Sequence, residues 1–125
     1  MVDRPGLSKG EMEVARVLWE LKKATVREVH DAMPSERAMD FSTVQTYLRR
    51  LESKGYVKAE LEGRIRIYTP RVRPATVIRE TVGELVDRLF GGETLPLMRH
   101  LIEDGRVSSD ELAALRQMID EMDQG

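Results

Sequence analysis

Between Ser42 and Arg50 the chain "STVQTYLRR" sets hydroxyls and guanidiniums at helical spacing. On a wheel of about 100° per residue, Val44, Tyr47, Leu48 and Leu51 gather on one side, and Ser42, Thr43, Thr46, Arg49, Arg50 and Ser53 fall roughly opposite. The first side is built to pack. The second is built for hydrogen bonding: a hydroxyl both donates and accepts, and a guanidinium meets a phosphate through a two-pronged fork. A helix fits the major groove of duplex DNA, its first residues reach base edges, and its N-terminal amides favour phosphate. The chemistry this stretch predicts is nucleic-acid recognition.

No other constellation competes. His30 and His100 are the only histidines, far apart in sequence, and there is no cysteine, so no metal site and no cofactor is expected. Asp110-Glu111 and Asp120-Glu121 sit where helix caps and solvated faces account for them. No Ser/His/Asp grouping and no phosphate-cradling glycine motif occurs, so no catalytic residue is assigned and an enzyme is not expected. Apolar content of 41% with 34% charged residues is a soluble globular balance. No apolar run approaches the roughly 20 residues that cross a bilayer, and "MVDRPGLSKGE" lacks the basic and apolar regions of a signal peptide, which predicts a cytoplasmic protein without membrane association.

The net charge of −2 conceals an asymmetry: residues 1–73 carry 15 Lys and Arg against 11 Asp and Glu, while 74–125 carry 5 Arg against 11 acids. A basic half joined to an acidic one suggests a polyanion-binding part and a part with another task.

The elements that would hold the reading helix follow from local signals. Reciprocal Ser/Thr and Glu/Gln caps predict helices after Ser8 (with Glu11), Thr25 (with Glu28) and Ser42 (with Gln45). Trp19 is expected to anchor the core, Pro34 to stop the second helix, and Gly55 to end the third. The period then shortens to two: "YVKAEL" and "RIRIYT" read as antiparallel strands joined at Glu62-Gly63, with Ile65 and Ile67 pointing one way and Arg64, Arg66 and Tyr68 the other. Pro70 and Pro74 bracket the exit. The pattern is that of a winged helix-turn-helix, mainly α with a small β-hairpin.

The stretches "LSKGEMEVARVLWEL", "TVREV", "STVQTYLRRLESKGYV" and "GRIRIYTPRV" closely resemble the penicillinase-repressor family of bacterial transcriptional regulators, the BlaI/MecI/CopY type. The resemblance implies a winged-helix homodimer that represses from a palindromic double-stranded operator. Thr43, Gln45, Thr46 and Arg50 match positions of the family's recognition helix, which implies base contact by Thr43 and Thr46 and backbone contact by Arg50; Ser42 departs from the basic residue some relatives carry. The expected base-reading set is Ser42, Thr43, Gln45 and Thr46, and the backbone set Arg49, Arg50, Lys54, Arg64 and Arg66. In the β-lactam branch a membrane sensor protease system triggers cleavage in a short C-terminal helix, and the nearest equivalent here is His100-Leu101. The copper-responsive branch relies on clustered cysteines, which this chain lacks.

Residues 74–125 are expected to form a three-helix dimerisation domain beside the DNA-binding domain of 1–73. From Ala75 the apolar residues Ile78, Val82, Leu85 and Leu89 advance by alternating threes and fours, a narrow helix-packing seam. Thr94 to Glu103 offers Leu97, Met98, Leu101 and Ile102, and a cap at Ser108 with Glu111 opens a last helix bearing Leu112, Leu115, Ile119 and Met122. About 50 residues in short helices bury too little surface to stand alone. A second copy is the self-complementary partner, and two reading helices about 34 Å apart could then engage two half-sites. The competing class is a winged-helix module that docks proteins and never touches DNA.

Overall fold

The helices begin where side chains can take up orphan backbone amides. In the computed structural model, which describes residues 4–125, α1 (Lys9–Leu21) and α2 (Val26–Ala32) open on reciprocal caps, Ser8 with Glu11 and Thr25 with Glu28. One turn of 3-10 helix, Ser35–Arg37, follows Pro34 and leads to α3 (Phe41–Ser53).

The cap expected at Ser42 and Gln45 does not form. α3 starts two residues earlier, on an extended Asp40 whose side chain makes no capping bond, so Ser42 lies within the first turn. The reason is Phe41. Its ring meets the His30 ring edge-on, with centroids 5.9 Å apart, and the Arg27 guanidinium sits 5.7 Å from its centre. Such aromatic packing contributes about 0.5–1.5 kcal/mol beyond buried area, enough to offset an exposed cap of about 1 kcal/mol. At the other end Gly55 takes φ of 89°, the left-handed stop its position predicts.

Strands β1 (Val57–Glu62) and β2 (Ile65–Pro70) pair antiparallel from Val57 opposite Pro70 to Glu62 opposite Ile65. The loop residues are therefore Gly63 and Arg64, one position later than expected. Only Gly63 has positive φ (65°), the pattern of a II′ turn, in which glycine takes the first loop position. Ala24 adds a single rung beyond β2: its N–H donates to the Tyr68 carbonyl at 3.0 Å and its carbonyl accepts from Tyr68 N–H at 2.8 Å.

The core lies where α1, α2 and α3 meet under this hairpin. Val14, Leu18, Val29, Val44, Leu48 and Leu51 are wholly enclosed, and Tyr68 reaches in from β2 with 1% of its surface exposed. Trp19 packs against this core but is not enclosed by it. It sits half-buried at the rim, where its indole N–H donates to the Val72 carbonyl at 3.2 Å. Helix α4 (Pro74–Phe90) opens with proline, whose missing N–H costs nothing at a first helical position. Its first turns are tied to the same body: Val77 is buried in the core, and Glu80 accepts both bonds of Arg4 Nη2, at 2.9 and 3.0 Å. Arg4 in turn lies 5.5 Å from the centre of the Tyr56 ring.

The compact body containing these elements closes at Thr81, and a second runs from Val82 to Gly125. The latter holds the rest of α4, then α5 (Leu95–Glu103) and α6 (Ser109–Gln124), the last opened by the expected cap of Ser108 and Glu111. Gly91 and Gly92, both with positive φ, break the chain after α4. Val86 is the buried apolar side chain of this unit. Leu89, Leu95, Met98, Ile119 and Met122 stay more than half exposed.

Candidate nucleic-acid interface

Helix α3 is gripped along one side and open along the other. Val44, Leu48 and Leu51 are fully buried, whereas Ser42, Thr46, Arg49 and Arg50 are exposed and Thr43 and Gln45 half-exposed. Tyr47 fixes the rotation of the helix. Its ring fits over Gly10 of α1 so closely that a Cβ there would lie 2.6–2.7 Å from ring atoms. The same ring supports the Arg50 guanidinium at 5.7 Å.

Ser42, Thr43, Thr46, Tyr47 and Arg50 line one shallow depression. Within it the Thr46 hydroxyl donates to the Ser42 carbonyl at 2.9 Å, a bond to its own helix one turn back. That arrangement leaves the Thr46 oxygen free to accept and its methyl free for apolar contact. An amino group of adenine or cytosine and the thymine methyl are the matching features of a major groove. Gln45 and Arg49 stand on the flank of α3 towards the hairpin. There they share a groove of about 500 Å³ with Arg64 and Arg66. Arg64 is exposed at the turn, and Arg66 Nη1 lies 3.8 Å from Glu52 Oε1.

Lys54, expected on the phosphate backbone, faces inward instead. Its ammonium donates to Glu11 Oε1 at 2.6 Å and to the Gly6 carbonyl at 3.0 Å. Glu11 is 2% exposed and also accepts the Ser8 N–H at 2.8 Å. Burial pushes its carboxyl up, but the Lys54 ammonium and the Ser8 groups outweigh that and hold it below the ordinary value. A buried carboxylate needs a paired cation, and that requirement turns Lys54 away from the exposed face of α3.

Elsewhere the expected seam residues are half or more open to solvent along much of their length: Ile78 58%, Leu89 70%, Ile119 56% and Met122 77%, with Val82, Leu85, Leu101 and Leu115 also exposed and Leu97 and Leu112 half-buried. His100 and Leu101 are exposed within regular helix, the His100 carbonyl accepting the Asp104 N–H at 2.9 Å. Among the described residues no group of three His, Cys, Asp or Glu side chains is placed to hold a metal ion, and no helix is long and apolar enough to cross a membrane.

The sequence model of the penicillinase repressor family matches residues 7–121. The chain belongs to the penicillinase repressor family. It is 32% identical over 120 residues to the transcriptional regulator BlaI of Mycobacterium tuberculosis, covering 93% of this chain and 86% of that one. It is 27% identical over 117 residues to the penicillinase repressor of Bacillus licheniformis, covering 94% and 91%. Among solved structures, the monomeric form of Bacillus licheniformis BlaI in complex with the blaP half-operator is 33% identical, with a TM-score of 0.50 over 60% of this chain and 92% of that one.

Two side chains at this interface had no announcing signal in the sequence. Arg27, on α2, and Phe41, at the start of α3, line the groove with Arg49, Arg64 and Arg66. They meet only because α2 and α3 pack together, and no spacing within either helix encodes that.

Proposed function

We propose that this member of the penicillinase repressor family is a sequence-specific transcriptional repressor that binds a palindromic double-stranded operator as a homodimer in the cytoplasm, with no catalytic role. The outward side of α3 carries this reading: four exposed polar residues stand opposite three fully buried apolar ones, and basic side chains of the hairpin lie alongside. In the proposed complex Thr43 and Thr46, with Ser42 and Gln45, read base edges, while Arg49, Arg50, Arg64 and Arg66 hold the backbone. This division between specifying and positioning contacts is general for proteins that read duplex DNA.

The proposed dimerisation domain is 74–125, with the apolar residues of α4, α5 and α6 buried between two copies. An isologous pairing would cover both seams at once and match the two-fold symmetry of a palindrome. Release is assigned to the same segment, by a signal that ends in proteolysis near His100-Leu101. The test of the reading is a gel-shift titration against salt, using a fragment recovered from cells with the protein bound. Phosphate contacts release counterions and give a steep negative slope of log K against log salt. A flat slope would instead favour a protein-docking module.

A further inference from the structure

The groove between α2, the start of α3 and the hairpin has a composition that points to one occupant. Four arginines, Arg27, Arg49, Arg64 and Arg66, converge on it, and no carboxylate lines it. Among the described residues only Arg66 of the four has an acidic partner, Glu52 at 3.8 Å. Cations gathered with little counter-charge favour an anion, and four of them favour one that carries several negative charges. The rest of the lining is different in kind: Phe41 (41% exposed) and Leu61 (66% exposed) add open apolar surface to the same groove. Anionic groups joined by sugars whose C–H faces suit an apolar surface describe a sugar-phosphate strand.

We propose that this groove seats one backbone strand of the bound duplex, with Arg27 as a further phosphate contact and Phe41 as the surface on which a deoxyribose rests. Phe41 does two things there. It holds the Arg27 guanidinium 5.7 Å from its ring centre, so the cation is oriented before DNA arrives. It also keeps its own open side turned into the groove. The groove is continuous with the reading helix through Gln45 and Arg49, so a strand lying in it would set the register of the bases above α3. This inference rests on the proposed DNA-binding function and extends it to a second helix.

The test uses the full chain and a short duplex of arbitrary sequence, so that only backbone contacts are measured. Fluorescence anisotropy over a range of salt concentrations gives the slope for the wild type, Arg27→Gln, Phe41→Leu and the control Arg16→Gln, an exposed arginine of α1 outside the groove. Arg27→Gln is expected to reduce the steepness of the slope by about 0.9, the value for one phosphate contact, and Arg16→Gln to leave it unchanged. Phe41→Leu is expected to weaken binding severalfold while keeping most of the slope, since the charges remain. Circular dichroism confirms that each variant is folded. A wild type with a steep slope that Arg27→Gln leaves intact would overturn the inference and spare the DNA-binding function. Unchanged affinity in Phe41→Leu would overturn the deoxyribose seat alone, and a flat slope in the wild type would end both proposals.

Discussion

Replacing Glu11 with glutamine removes one charge from the enclosed pair that joins the start of α1 to the end of α3. The amide can still close the helix cap with Ser8, since glutamine serves in that position. What is lost is the charge-assisted bond to Lys54 Nζ at 2.6 Å, in a site where the carboxylate is 2% exposed and the lysine side chain 27% exposed. Hydrogen bonds to charged groups contribute about 1.5–3 kcal/mol, and breaking a fully buried pair costs about 3–5 kcal/mol. The partly open lysine can turn towards water, so the expected loss is about 1.5–3 kcal/mol. Lys54→Met should cost more, because it strands the buried carboxylate, and the double variant should cost less than the two losses added. The pH dependence follows with a definite sign. Glu11 is held below its ordinary 4.5, so its contribution is fully present above that value and disappears as pH falls through the lower, folded value. Urea unfolding followed by circular dichroism should show a gap between wild type and Glu11→Gln at neutral pH that narrows below pH 4.5. Equal stability at neutral pH, or a gap indifferent to acid, would show that the Glu11–Lys54 pair does not stabilise the fold.

Three further variants probe α3, its contact with α1 and the exposed apolar face of α4. Thr46→Ala should cost about 1–3 kcal/mol in operator binding and relax discrimination at one base pair, measured by gel shift over single-base operator variants. Gly10→Ala should destabilise the fold in spite of alanine's better helix propensity, by about 1–3 kcal/mol from overpacking against Tyr47, as thermal unfolding would show. Leu85→Glu on α4 should shift the chain towards monomer in sedimentation equilibrium and weaken operator binding, because a charge would stand in the proposed dimer seam.

Local signals in this sequence were readable and distant ones were not. The caps at Ser8, Thr25 and Ser108 mark helix starts because each motif supplies its own hydrogen-bond partners within four residues. Ser42 with Gln45 has the same spacing and fails, since Phe41 is recruited into the first turn by residues of α2. The hairpin is visible as a change of period, yet period alone does not say that Tyr68 rather than Ile65 faces the core. The wheel separates the two sides of α3. It has no means of showing that Lys54, at the end of the same helix, answers to a glutamate on α1. The gathering of Arg27 with Arg49, Arg64 and Arg66 is likewise a product of packing between elements.

A crystal structure of the full chain on its operator would show whether the open side of α3 reads base edges, as proposed. The expected complex has α3 in the major groove, with the Thr43 and Thr46 side chains within hydrogen-bonding or van der Waals reach of bases. A complex in which those two side chains meet protein, or face solvent while another element enters the groove, would rule out base reading by α3.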